Sequence, residues 1–183
     1  MSDTKIITLY HGSINIIDNN DITKGKPYKD FGMGFYTSES IAQATNLALR
    51  NKDIEEFRLR NTGKDEDVKA WLYKYTFDLS TLDDLSVKNF ETADKEWIRF
   101  VLLNRQSSKN EHNYDVVIGP TANDNTRVTI RAFFAGAYGE IDGDDAIDKL
   151  IEMIEPERLP SQFFFGSERA TKNLKLVERQ LII

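Results

Sequence analysis

The chain carries two histidines, His11 and His112, and no cysteine, which closes most nucleophilic chemistry at the outset. A Ser–His–Asp triad would have to be built on one of those two imidazoles. Without cysteine there is neither a thiolate nucleophile nor a Cys-based zinc site, and two distant histidines do not make a His-rich one, so no metal is expected. His112 sits in Lys109-Asn110-Glu111-His112-Asn113, which reads as a solvated polar loop. His11 is placed differently. It follows a β-branched, apolar run, Lys5 to Tyr10, and stands at that strand's edge before Gly12 and Ser13. A glycine there lets a ligand approach the backbone closely. Further along, Asp30-Phe31-Gly32-Met33-Gly34-Phe35-Tyr36-Thr37 sets two glycines beside a Phe-Tyr pair. Such gaps suit stacking of a flat heteroaromatic ring, so a nucleotide pocket and a packed core His and Tyr both stay open.

Other nucleotide signatures are missing. No GxGxxG follows a strand and no GxxxxGK[ST] occurs; Gly32-Met33-Gly34 is a lone GxG. Asp142-Gly143-Asp144-Asp145 lacks the twelve-residue calcium-loop pattern and reads as a helix start.

These residues must be held by elements that the pattern also predicts. After the Lys5–Tyr10 strand comes a long irregular stretch from Ile14 to Gly34, of a length often functional. A helix capped near Thr37 or Ser38 follows, with Ile41, Ala44 and Ala48 on one face, and continues into the charged segment 51–69 before giving way to a loop. That segment is the one candidate insertion. Trp71 to Phe77 reads as a strand and Thr92 to Arg105 as a helix with Trp97, Val101 and Leu102 on one side. Tyr114 to Ile118 is a strand, and Thr126 to Tyr138 and Asp144 to Glu155 are helices, the latter stopped by Pro156 and Pro160. Gln162 to Phe165, Glu168 to Leu174 and Leu176 to Ile183 close the chain as strand, short helix and strand. The interleaving is irregular and without repeats, so the fold class is α+β, in a single domain spanning 1–183. Trp71, Trp97, Tyr114, Asp115 and Gly119 are read as structural.

Composition excludes several classes. Hydrophobic residues at 40% and charged residues at 30% fit a soluble domain, and no window reaches the roughly 18 apolar residues of a membrane span. The N-terminal residues lack a signal-peptide pattern and the chain lacks cysteine, so a cytoplasmic location is expected. A net charge of −6 gives no overall attraction for phosphate backbones.

Five segments in order, LYHGS at 9–13, DFGMGFYTS at 30–38, WIRFVLLNR at 97–105, YDVVIGP at 114–120 and QFFFGSERATKNLKL at 162–176, resemble the H–Y–E branch of the ADP-ribosyltransferase superfamily. More closely they resemble its DUF3990 family. The resemblance implies a split β-sheet core with flanking helices and NAD as co-substrate. It implies that His11 donates hydrogen bonds to ribose hydroxyls, that Gly12 and the backbone around Tyr10 and Ser13 hold the nicotinamide carboxamide, and that Tyr36 stacks on the nicotinamide ring. Gln162 falls where the superfamily has a catalytic glutamate. Asp30, Phe31, Gly34 and Arg105 lie in the family's motifs and are expected near the cofactor. His11, Tyr36 and Gln162 are then expected to converge on one cleft.

The implied activity is transfer of ADP-ribose to a macromolecular acceptor, protein or nucleic acid, as in a toxin or phage–host conflict factor held by a small antitoxin-like protein. Glutamine carries no charge and removes no proton, so a carboxylate elsewhere, Glu168 or Asp30, is expected to assist, or turnover is weak. The alternative is an NAD-binding module without turnover. An RNA 2′-phosphotransferase is disfavoured by the missing basic stripe.

Overall fold

The computed structural model describes residues 5–18, 24–122, 124–141, 143–154 and 160–182; Asp142, Pro156, Ile183 and part of the Ile14–Gly34 stretch, named above, lie outside them. Seven strands form one mixed sheet: β1 (Ile6–Ser13), β2 (Phe35–Ser38), β3 (Trp71–Asp78), β4 (Val87–Asn89), β5 (Val116–Pro120), β6 (Ser161–Phe165) and β7 (Lys175–Leu181). Their spatial order is β4-β5-β6-β2-β1-β3-β7. Only β4 and β5 run parallel; the other neighbours are antiparallel. The helices are α1 (Ile41–Asn61), α2 (Lys95–Gln106), α3 (Asp124–Phe134), α4 (Asp144–Ile154) and the short α5 (Glu168–Thr171).

Pairing is uneven across the sheet. β1 is matched to β3 along its whole length, from Ile6 opposite Asp78 to Ser13 opposite Trp71. Between β1 and β2 a single position is in register, Tyr10 opposite Ser38. That junction is a seam separating β1-β3-β7 from β4-β5-β6-β2.

Strand alternation sorts the side chains into two layers. On one face, Val117 and Phe164 pack with Trp97, Ile98 and Val101 of α2, Ile130 and Phe133 of α3, and Ile147 and Leu150 of α4. On the other, Leu9, Tyr73, Phe77, Val116, Phe163 and Phe165 pack with Ala170 and Leu174. Each large apolar side chain fully withdrawn from water stabilises by about 1.5–3 kcal/mol. Trp97 is wholly buried, and its indole N–H donates to the Pro120 carbonyl at 3.1 Å, so it anchors packing as expected.

Two boundary shifts and one unexpected strand have plain physical reasons. β1 continues through His11, Gly12 and Ser13, because β3 offers partners that far; His11 lies within a strand rather than at its end. Thr37 and Ser38 belong to β2, and α1 is capped by Ser40, whose side chain accepts from the Gln43 N–H. β4 is three residues long, too short for periodicity to reveal, and exists because β5 runs beside it. In the charged segment 51–69, residues to Asn61 are the last turns of α1 and the rest is a loop. Lys52 pairs with Glu56 one turn on and reaches Asp67 of that loop at 3.9 Å.

Asp115, read as structural, ties the end of the sheet together. Its buried carboxylate accepts from the Ser86 N–H at 2.9 Å, the Ser167 hydroxyl at 2.5 Å and the mostly exposed Arg169. Burial pushes its pKa up, but the bonds from Ser167, Ser86 and Arg169 outweigh that and hold it below the ordinary carboxylate value. Asp115→Ala is expected to lose roughly 1–3 kcal/mol. Because the folded-state pKa is depressed, that stabilisation is present above the unfolded-state value of about 4 and fades as pH falls through the folded one. Denaturant titrations from pH 7 to 2 check it; a stability gap between wild type and variant that ignores pH would contradict it.

Candidate functional site

Asp30 is the centre of a dense buried polar cluster. It is 6% exposed, and α2 brings Arg105 to it: Nε and Nη2 donate to Oδ1 at 2.8 and 2.5 Å. The Ala122 N–H and the Gln162 Nε2 donate to Oδ2 at 2.9 and 3.0 Å. Four donors fill a carboxylate's acceptor capacity. Asp30 does lie beside Gln162, as one expectation had it, but it has no lone pair left for a proton from an incoming nucleophile. Glu168 stands in the first turn of α5 with an exposed side chain.

Gln162 is buried on β6, with Nε2 directed to Asp30 and, at 3.4 Å, to the Pro120 carbonyl. Across β2 it faces Ser38. The Ser38 hydroxyl donates to Oε1 of Gln43, whose Nε2 reaches the Thr121 hydroxyl at 2.9 Å. Two polar groups therefore stand side by side, one joining Arg105, Asp30 and Gln162 and the other joining Ser38, Gln43 and Thr121 at the start of α1.

Tyr36 lies on the same face, two residues from Ser38. Its hydroxyl accepts from the Phe31 N–H at 3.1 Å and donates to the Gly32 carbonyl at 2.7 Å. Burial, aided by the Asp30 charge, raises the phenol pKa well above the ordinary value, so the hydroxyl stays neutral and clamps the glycine loop. The ring packs edge-on against Phe164 at 5.2 Å and over Phe31 at 6.5 Å. Phe31 is fully buried among Phe90 and Phe100 and acts as a core anchor of that loop.

His11 belongs to the other face. With Tyr10 opposite Ser38, alternation places Tyr10, Gly12, Tyr36 and Gln162 on one side and His11 with Phe35 and Tyr73 on the other. Its ring stacks on Phe35 at 4.6 Å. The expected convergence is therefore partial: Tyr36, Gln162, Asp30 and Arg105 share a face, and His11 meets them only through the seam, where Nδ1 lies 2.6 Å from the Tyr36 carbonyl. A carbonyl only accepts, so Nδ1 carries the proton. Burial lowers the His11 pKa against the opposing effect of that bond. The neutral ring then has Nε2 as an acceptor, whereas the resemblance implied a donor.

The glycine gaps are filled by the protein itself. A Cβ on Gly12 would stand 1.9 Å from the Ala44 carbonyl oxygen of α1, and one on Gly34 would stand 2.3 Å from the Phe164 ring and 2.6 Å from the Phe165 carbonyl oxygen. Gly12 lets α1 settle on β1, and Gly34 lets the loop join β6; neither opens space for a ligand. Gly12→Ala is expected to destabilise by about 1–3 kcal/mol through a displaced helix. A melting temperature equal to wild type would contradict this.

Ser13 is buried, its hydroxyl accepting from the Asn15 N–H at 3.0 Å. Tyr10 lines a cavity of about 100 Å³ with Ile41, Leu72, Lys74, Glu178 and Gln180.

Sequence reasoning missed the residues that pin the glycine loop from outside. His112 is packed against Phe100 and Phe164 rather than solvated. Its Nδ1 accepts from the Tyr114 N–H at 3.1 Å, leaving Nε2–H to donate to the Phe31 carbonyl at 2.8 Å. Asn110 accepts from the Met33 N–H at 2.5 Å and donates to the Met33 carbonyl at 3.0 Å. Nothing local marks a polar loop as the clasp of a segment so distant in sequence. Among the described residues no His, Asp and Glu side chains gather in threes as for a metal ion, and no helix is long and apolar enough to cross a membrane.

Residues 7–176 match the model of a family described as a protein of unknown function, DUF3990. No curated protein and no solved structure matches the chain.

Proposed function

This chain belongs to the DUF3990 family, and from that premise we propose that it binds NAD at the seam between β1 and β2 and transfers ADP-ribose to a macromolecular acceptor. The observation that carries this reading is the seam itself. There the ladder is reduced to one paired position, and an imidazole reaches across to the Tyr36 main chain. A ligand that parts the two strands there, rather than lying on either face, meets His11 from one side and Tyr36 and Gln162 from the other. The resemblance of the LYHGS, DFGMGFYTS and QFFFGSERATKNLKL segments to ADP-ribosyltransferases supports the same placement, with an ADP-ribosyltransferase-like split sheet as the core.

The chemistry asks little of the protein in proton transfer. The bond between ribose C1′ and the nicotinamide nitrogen breaks with its electron pair going to the pyridinium, so the leaving group departs neutral. No general acid is needed. The acceptor's nucleophile bonds to C1′ and gives up its proton to water. What the site must supply is a hold on the ribose and stabilisation of a cationic transition state. His11 Nε2 and Gln162 Oε1 are two acceptors for ribose hydroxyls, and the Tyr36 ring is a stacking surface. A dinucleotide needs a pocket of several hundred Å³, and on this reading it gains that space by parting β1 from β2. The acceptor, protein or nucleic acid, and a small antitoxin-like partner in a cytoplasmic setting belong to the same proposal.

Incubation of the protein with NAD labelled in the adenylate half, plus cell lysate, is expected to transfer label and release nicotinamide. Neither event occurring would end the transferase reading. A second reading, an NAD-binding module without turnover, is favoured by the saturated Asp30 and the uncharged Gln162 beside it. Calorimetric binding of NAD without product distinguishes it.

A further inference from the structure

Glutamine at position 162 follows from its neighbour. A carboxylate only accepts hydrogen bonds, so the amide can face Asp30 Oδ2 at 3.0 Å only through Nε2. The Pro120 carbonyl on the same side, also an acceptor, selects the same rotamer. Oε1 is then the end turned away from Asp30. Arg105 in its turn fixes Asp30 with two bonds to Oδ1.

We propose that Asp30 is a positioning residue for Gln162: it holds the amide so that Oε1 alone is offered to a ligand hydroxyl, and its presence forbids a carboxylate at 162. This rests on the NAD reading for the identity of the ligand, a ribose diol, but not for the pairing. The cluster now contains one carboxylate and one guanidinium. Around it stand the Tyr36 phenol on β2 and Lys29 beside Asp30, both acted on by the Asp30 charge, and Arg127, which acts on Lys29. A glutamate at 162 would set two buried carboxylates about one hydrogen-bond length apart, and they can coexist only by sharing a proton. Gln162→Glu is therefore not a gain of function but a clash of charge. Asp30→Asn beside it removes the repulsion between carboxylates but not the other loss, since an amide at 30 turns its NH2 toward either Arg105 or the Ala122 N–H.

The test is a cycle of Gln162→Glu, Asp30→Asn and the double variant, melted between pH 5.5 and 8 and titrated with NAD. Gln162→Glu is expected to melt roughly 5–10 °C below wild type at pH 8, with the gap closing toward pH 5.5 as the shared proton is retained. It should also bind NAD roughly tenfold or more weakly. The double variant is expected to lose the pH dependence, because one of the two carboxylates is gone, while staying below wild type in melting temperature through the lost Arg105 ion pair and the Ala122 N–H bond. If Gln162→Glu does not fold at pH 8, recovery of folding toward pH 5.5 supports the pairing just as well. A single variant as stable as wild type at pH 8, or a double variant whose stability keeps the pH dependence of Gln162→Glu, overturns it. Should wild type itself bind no NAD, the ligand assignment fails, and the melting curves still decide the pairing.

Discussion

Asp30→Ala is expected to destabilise the protein by about 3–5 kcal/mol, the typical effect of removing one partner from a buried ion pair. Arg105 would keep a buried charge with nothing opposite it, because both of its bonds go to Asp30 Oδ1 and its side chain is 16% exposed. The Ala122 N–H and the Gln162 amide would lose an acceptor at the same moment, and each unsatisfied buried donor adds its own desolvation penalty. Three segments that share no local sequence, the glycine loop, α2 and β6, are joined at this one carboxylate. Removing Arg105 as well is expected to do less further harm than the two single losses summed, since the uncompensated charge disappears. Urea unfolding of both single variants and the double measures this. A loss below about 1 kcal/mol for Asp30→Ala would mean that the cluster is solvated and carries no such weight.

His11→Ala is expected to lower nicotinamide release from NAD by roughly 100-fold or more, the usual consequence of losing a polar group aimed at developing charge. The fold should survive, since β1 keeps its full ladder with β3. The effect should fall on kcat as well as KM; a rise in KM alone would mean that His11 only binds. The pH profile gives a second reading. Acceptance by Nε2 needs the neutral ring, and burial sets the His11 pKa below 6.5. Release is therefore expected to be flat above that value and to decline as pH falls through the lowered one. A rate that climbs on acidification would instead make the imidazolium the working form, a donor rather than an acceptor.

Much of the element order was legible in the residues. The spacing of Ala146, Ile147, Leu150 and Ile154 predicts α4, and all four are buried there; the aromatic run from Trp71 predicts β3. These succeed because periodicity is local: a residue's face is set by its neighbours a few positions away. What failed is what depends on a second segment. Gly12 and Gly34 were read as room for a ligand, but whether such a gap is empty depends on α1 and β6, and both fill it. His112 reads as solvated from its polar neighbours, yet Phe100 and Phe164 come to it from elsewhere in the chain.

The sequence by itself determined the α+β class, the order of all the helices and of every strand but β2 and β4, family membership over 7–176 and a short cast of candidate site residues. Only the tertiary structure decided how that cast is arranged: His11 on one side of the sheet with Tyr36 and Gln162 on the other, a seam between them, and Asp30 held by four donors beside Gln162. The reason is strand register. One residue's shift in pairing turns every side chain to the opposite face, and register is settled between strands far apart along the chain, where no local pattern reaches.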